Sequence, residues 1–209
     1  MPKNPRRKCD PEILSETKVH EGDWIDAYKL TYRNAGGFES TWEAIKRKRD
    51  ARASVMIARL RPSGRYILIR QFRPPTGADV LEFPAGLIDE GESPEQAAVR
   101  ELREETGYHG VILKTSPDMV VSPGIVSERC HFVFMDVDES APENINPVHD
   151  QECSEFIEVM LVAPKDIATF FEAERARRTI IDIKLYAYFV GFPNSTEFPD
   201  LNKTPESTE

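Results

Sequence analysis

Cysteine is scarce in this chain. Cys9, Cys130 and Cys153 are the whole supply, odd in number, far apart and without a C-x-x-C pair. That excludes a disulfide framework and argues against a zinc site, and reduced thiols of a cytoplasmic protein are the simplest account. The four histidines (His20, His109, His131, His149) show no ligand spacing either, and each is expected at the surface or in packing. No apolar run approaches the ~20 residues that a membrane-spanning helix needs. The opening MPKNPRRKCD is basic but lacks the apolar stretch of a secretory signal, so neither a membrane partner nor export is expected. Lys3, Arg6, Arg7 and Lys8 leave a nuclear address open beside the plainer reading, a solvated tail. Positive charge is in deficit: 27 Lys and Arg against 36 Asp and Glu give a net charge of −9, which disfavours a nucleic-acid partner. Internal repeats and low-complexity tracts are absent.

What remains is an ordinary globular composition of 209 residues, long enough to bury roughly 70% of its unfolded surface. Charge is segregated along it. Ten Lys or Arg face one acid between Lys46 and Arg73, whereas eight acids and no Lys or Arg lie between Asp136 and Glu158. Alternation and turn signals predict strands over 25–33, 41–48, 54–60, 65–72, 79–86, 109–115, 130–137 and 155–162, with helices over 94–106 and 164–177. Residues 180–190 fit strand by alternation and helix by length. Residues 1–12 and the tail from 193 read as disordered, 13–50 as a β-rich N-terminal segment, and 51–192 as the main domain. The pattern is α+β, a mixed sheet with few helices arranged as an α/β/α sandwich.

The segment GLIDEGESPEQAAVRELREETGY (86–108) concentrates the chemistry. Ser93 is a natural N-cap, Pro94 suits the first helical position, Gln96 completes an S-x-x-Q capping box and Gly107 closes the helix. Glu101, Glu104 and Glu105 stand at i, i+3 and i+4, so three carboxylates crowd one face, while Ala98, Val99 and Leu102 are expected to face the core. Like charges at that spacing cost about 0.2–0.5 kcal/mol per pair. A divalent cation turns the repulsion into binding, because carboxylate oxygens suit Mg²⁺ or Mn²⁺. A generic E-x-x-E-E run is usually a solvated acidic face. Here Gly86, Glu92, Arg100 and Gly107 fall in register with it, in the pattern G-x5-E-x7-R-E-U-x-E-E-x-G-U with U a bulky apolar residue. Only the last position departs, with Tyr108 in place of an aliphatic residue.

This pattern resembles the Nudix box, the metal-binding signature of the Nudix hydrolases. GDW (22–24), TWEAIKR (41–47), RQFRPP (70–75), LEFPAGLIDEGE (81–92), Pro123 and EFIEV (155–159) extend the resemblance to the ADP-sugar pyrophosphatases, and within them to the eukaryotic ADP-ribose pyrophosphatases. The resemblance implies metal ligation by Glu101, Glu104, Glu105 and the backbone carbonyl of Ala85, with two or three Mg²⁺ ions (or Mn²⁺) per site. Glu92 is implied as loop support, and Arg100 as a partner that fixes a carboxylate rotamer. Glu155 is implied as the residue that handles the attacking water, with Asp150 and Glu152 as alternatives in the same acidic loop; Glu104 is the other candidate for catalysis. Trp24 and Trp42 are implied as an adenine clamp, with Glu43, Arg47, Arg73 and Leu87 as further substrate contacts. In that family the two rings come from different subunits, which implies a homodimer with exchange of N-terminal segments.

The function so implied is hydrolysis of ADP-ribose to AMP and ribose 5-phosphate. Two rivals stand beside it: a Nudix enzyme for another nucleoside diphosphate derivative, and a sensor that binds ADP-ribose without turnover. Three intact metal-binding carboxylates argue against the sensor.

Overall fold

The protein is described from a computed structural model, over residues 8–151 and 156–191. In chain order the strands are β1 (Glu12–Glu21), β2 (Ile25–Arg33), β3 (Glu39–Arg47), β4 (Ala53–Arg61), β5 (Tyr66–Arg73), β6 (Ala78–Glu82) and β7 (Ala85–Leu87). Helix α1 (Pro94–Thr106) is followed by β8 (Val111–Thr115), β9 (Met119–Val120), β10 (Arg129–Asp138) and the short α2 (Pro142–Ile145). The chain closes with β11 (Ile157–Val162), α3 (Ile167–Ala176), β12 (Ile180–Ile181) and α4 (Ile183–Gly191). No helix among the described residues is long and apolar enough to cross a membrane. These elements form two compact units. Among the described residues the first takes 8–54, 86–97 and 115–132; the second takes 55–85, 98–114, 133–151 and 156–191.

The first unit is built on an antiparallel sheet, β1-β2-β3. Strands β2 and β3 pair without a slip from Ile25–Arg47 to Arg33–Glu39. Their turn is closed by Asn34, whose side-chain oxygen accepts the N–H groups of Gly36 and Phe38 at 2.9 and 3.1 Å. The carboxylate of Asp26, 6% exposed on β2, draws the ammonium groups of Lys18 (2.9 Å) and Lys48 (3.0 Å), stitching β1 and the end of β3 to β2. Hydrogen bonds from Lys18 and Lys48 hold the Asp26 carboxyl below its usual range, against the opposing effect of desolvation. A carboxyl whose pKa is lowered on folding stabilises the protein above the unfolded value, about 3.9, and the contribution fades as pH falls through the folded value. Asp26→Asn is therefore expected to lower stability at neutral pH and to leave it unchanged in strong acid. Urea unfolding at the two pH values checks this; an equal loss at both would show that the ion pairs are not its source.

The second unit carries the main hydrophobic core. Strand β5 lies between β6 and β11, antiparallel to both, and β12 joins β6 in parallel, giving a mixed sheet. Tyr66, Ile67, Leu68 and Ile69 are all buried, because a central strand covered on both faces presents no solvent side. On one face Met56, Ala58 and Leu60 of β4 and Val133, Met135 and Val137 of β10 meet Ala98 and Leu102 of α1. Their spacing of two along each strand puts them on one side. The alternate side carries an aromatic cluster, with Tyr66, Phe83 and Phe134 against Tyr188 of α4 at centroid distances of 5.9, 5.6 and 6.5 Å. Helices on both faces of a mixed sheet make the expected α/β/α arrangement.

Several expectations need correction. Val99 is 44% exposed: the apolar stripe of α1 is narrower than its sequence suggests, and Tyr108 just beyond the helix fills the core instead. Residues 8–12 are ordered, since the N–H groups of Lys8 and Cys9 donate to the Ala35 carbonyl and Glu12 opens β1, a strand the periodicity did not reveal. The ambiguous 180–190 stretch holds both alternatives, β12 and then α4. Asp182 separates them, its carboxylate accepting the N–H of Lys184 at 2.8 Å as a helix cap. The tail from 193 lies outside the described residues.

Candidate active site

Helix α1 begins as its sequence dictates. Ser93 Oγ accepts the Gln96 N–H (3.2 Å) while Gln96 Oε1 accepts the Ser93 N–H (2.8 Å), a reciprocal capping box. Ser54 Oγ donates to the Pro94 carbonyl at 2.8 Å and ties this end to the start of β4. In the loop before it, Glu92 accepts the Asp89 N–H at 3.1 Å and returns its own N–H to the Asp89 carbonyl, so Glu92 braces the loop. The Ile88 N–H donates to the Arg52 carbonyl. At the far end Gly107 takes the left-handed conformation (φ +76°) and donates to the Arg103 carbonyl. A Cβ there would lie 2.6 Å from the Val148 nitrogen, so no larger residue fits.

The second unit brings Ala85, Arg100, Glu101, Glu104 and Glu105 into one constellation. Arg100 Nη1 donates to Glu101 (2.7 Å) and to Glu104 (3.1 Å), converting part of their mutual repulsion into ion pairs. Glu105 is 4% exposed, and its carboxylate accepts the Ala85 N–H at 3.0 Å. Ala85 itself is placed by its neighbour Pro84, whose carbonyl accepts the Met56 N–H at 2.8 Å. Gln151 then braces the C-terminal turn of α1, donating to the Glu105 and Ile157 carbonyls and accepting the Ile157 N–H. No three His, Cys, Asp or Glu side chains among the described residues already converge into an ion cage. The donor chemistry nevertheless fits a hard cation: three carboxylates on one helical turn supply only oxygen, as Mg²⁺ and Mn²⁺ require. Arg73, also of this unit, is oriented by the buried Glu82, which accepts from its Nε at 2.7 Å.

In the first unit, Trp24, Arg47 and Leu87 line one cavity of about 820 Å³, together with Glu92 and His131. Trp24 is 78% exposed and presents its indole as a bare aromatic surface. Trp42 is not part of that lining. Its Nε1 donates to the Gly124 carbonyl at 2.9 Å, and its ring packs edge-on to Tyr32. Pro123 is the second residue of the turn that places this carbonyl, in which the Ile125 N–H donates to the Ser122 carbonyl. Glu43 lies opposite Lys29 on the β2–β3 ladder and is exposed. Of the residues considered for the attacking water, Asp150 is exposed, with its N–H donated to the Glu104 carbonyl; Glu152 and Glu155 lie outside the described residues.

Sequence reasoning passed over Asp118 and gave His131 only a place at the surface or in packing. Asp118 gathers Arg129 (3.0 Å), Arg52 (3.6 Å) and the His131 ring (3.9 Å), and the Arg129 hydrogen bond, the largest influence, holds its carboxyl below the usual range. His131 is 9% exposed, with Nδ1 3.1 Å from the Ser116 carbonyl. A single Asp in a loop and a single His in a strand give no periodic or spacing signal.

Residues 50–183 match the model of the NUDIX domain. The chain is 36% identical over 195 residues to the ADP-sugar pyrophosphatase of Mus musculus, covering 90% of this chain and 89% of that protein. It is 37% identical over 164 residues to the ADP-ribose pyrophosphatase of Saccharomyces cerevisiae, covering 73% and 71% respectively. A solved structure of an ADP compounds hydrolase superposes with a TM-score of 0.60 at 22% identity, covering 77% of this chain and 84% of that one, a likeness of fold.

Proposed function

Because the chain belongs to the Nudix family of hydrolases, we propose that it hydrolyses the diphosphate of ADP-sugars, with ADP-ribose giving AMP and ribose 5-phosphate. The observation that carries the reading is the carboxylate face of α1, where Arg100 spans Glu101 and Glu104 and the buried Glu105 is fixed to the Ala85 amide. Mg²⁺ held by Glu101, Glu104, Glu105 and the Ala85 carbonyl would neutralise diphosphate charge and supply an acidified water. Arg100 sets the rotamers of two of those carboxylates, a role whose loss typically costs about 10–100-fold. Arg73, oriented by Glu82, is the guanidinium of the second unit that this reading assigns to a phosphate oxygen. Trp24 offers a face for the purine, and stacking on an aromatic ring contributes about 1–3 kcal/mol per base.

The names of the relatives support an ADP-sugar over other nucleotides. A homodimer is part of the same reading. Strand β1 is exposed along all ten residues, and Ile13, Val19, Trp24 and Trp42 leave apolar surface open for a second copy to cover.

The test is incubation with ADP-ribose, ADP-glucose and 8-oxo-dGDP in Mg²⁺, with products identified by mass and sedimentation run on the same sample. AMP with ribose 5-phosphate is the expected product pair. Tight binding of ADP-ribose without turnover would overturn the enzymatic reading, and a monomer fully active on ADP-ribose would remove the dimer from it.

A further inference from the structure

The cavity in the first unit has a lining of mixed charge, in which the cations Arg47, Lys48, Arg49 and Arg52 stand among the acids Asp23, Asp50, Asp89, Glu90 and Glu92. Three of the cations already have acids of their own. Arg47 donates through Nε to Glu128, Lys48 Nζ lies 2.9 Å from Glu21 and 3.0 Å from Asp26, and Arg52 lies 3.6 Å from Asp118. Among the described residues Arg49 has no acid within ion-pair reach and no side-chain hydrogen bond. Its guanidinium is the cation of this wall with every donor unused.

The backbone beneath it is the second observation. Arg49 (φ 58°) and Asp50 (φ 51°) are successive residues in the left-handed region, where neither is a glycine. Side chains rarely adopt that conformation, and such outliers concentrate at ligand-binding positions. The turn is anchored on both sides. The Lys48 N–H donates to the Trp24 carbonyl at 3.0 Å, and the Ala51 N–H returns to the Lys48 carbonyl at 3.3 Å. The strained turn is thus tied directly to the residue that carries the exposed indole of the same cavity.

We infer that Arg49 is the anion-holding residue of this cavity, and that it takes a phosphate of a nucleoside diphosphate whose base lies on Trp24. Sequence resemblance makes Arg47 a substrate contact of this region, but its Nε is already committed to Glu128. A guanidinium offers two parallel donors to phosphate oxygens, and an unpaired one gives up no internal ion pair to do so. The inference rests on the proposed function in taking the cavity as a nucleotide site, but it concerns binding and is testable without turnover.

The experiment is calorimetric titration of the full-length protein with ADP and with adenosine, for wild type, Arg49→Gln and Arg49→Lys. Wild type is expected to bind ADP more tightly than adenosine. Arg49→Gln should weaken ADP by roughly ten-fold, the size of a charge-assisted hydrogen bond, and leave adenosine unchanged, with Arg49→Lys in between. The inference is overturned if Arg49→Gln keeps the wild-type ratio, if it weakens both ligands equally, or if wild type does not distinguish them. A normal binding pattern in a protein that hydrolyses no ADP-sugar would instead sink the proposed activity and leave the role of Arg49 standing.

Discussion

With ADP-ribose as the proposed substrate, Glu105→Gln is expected to lower kcat and kcat/KM together, by on the order of 10³-fold, while the protein stays folded. The size follows from what is removed. A carboxylate that holds a catalytic cation underwrites several kcal/mol of charge stabilisation in the transition state, and about 1.4 kcal/mol corresponds to each factor of ten. Equal falls in the two constants mark an interaction made mainly in the transition state. The structure explains why the fold survives. Glu105 is 4% exposed and accepts the Ala85 N–H at 3.0 Å, and a glutamine carbonyl accepts the same bond in the same volume. Removing one of three like charges on a single helical turn also relieves repulsion of about 0.2–0.5 kcal/mol per pair. The melting temperature is therefore expected to hold or rise slightly. Near-normal turnover would remove Glu105 from the machinery. A loss of activity that tracks a fall in melting temperature would make it a structural residue.

How much of this was legible beforehand depends on whether the signal is local. The caps of α1, the carboxylate face and the Gly107 terminator all lie within 23 residues of chain, and one helix converts sequence spacing directly into geometry. The core strands were equally readable, because β4 and β5 carry apolar runs that only burial explains. Strand β1 was not. Every one of its residues is exposed, so EILSETKVHE has no buried face to write a period of two into its sequence. The 180–190 stretch defeated periodicity for another reason. Two elements meet at Asp182, and a cap signal of one residue is easily lost inside a continuous apolar run. The cavity drew the line most sharply. Trp24, Arg49, Leu87 and His131 come from four separate segments, and no spacing along the chain records that they line one wall. Resemblance supplied Trp24, Arg47 and Leu87 to it. It was silent on Arg49 and His131, whose places follow from a left-handed turn and from the start of β10.

Glu174→Ala is expected to be among the most destabilising single changes in the second unit, costing about 3–5 kcal/mol. Glu174 lies on α3 with 3% exposure, and one carboxylate oxygen accepts both Arg70 Nη1 and Thr179 Oγ1 at 2.9 Å. Its backbone carbonyl accepts the N–H groups of Arg177 and Thr179, so one residue closes the helix and fastens it to β5. Truncation strands Arg70, whose side chain is 14% exposed on the central strand, with Glu158 as its remaining ion-pair partner. The cost arises from an undercompensated buried charge, more than from the worth of the pair itself. Glu158 provides the control. It also pairs with Arg70, at 2.5 Å, but is 49% exposed, and an ion pair at the surface contributes only about 0–1 kcal/mol. In a chain of this length each kcal/mol moves the melting temperature by about 2–4 °C. Glu174→Ala should therefore melt roughly 10 °C below wild type, and Glu158→Ala within a few degrees of it. A double replacement, Arg70→Met with Glu174→Leu, should recover much of the loss, since an apolar pair of similar volume strands no charge. Equal losses for Glu174→Ala and Glu158→Ala would show that burial does not set the energetics of this network. A double replacement no better than Glu174→Ala alone would place the cost in the Thr179 bond and the helix end.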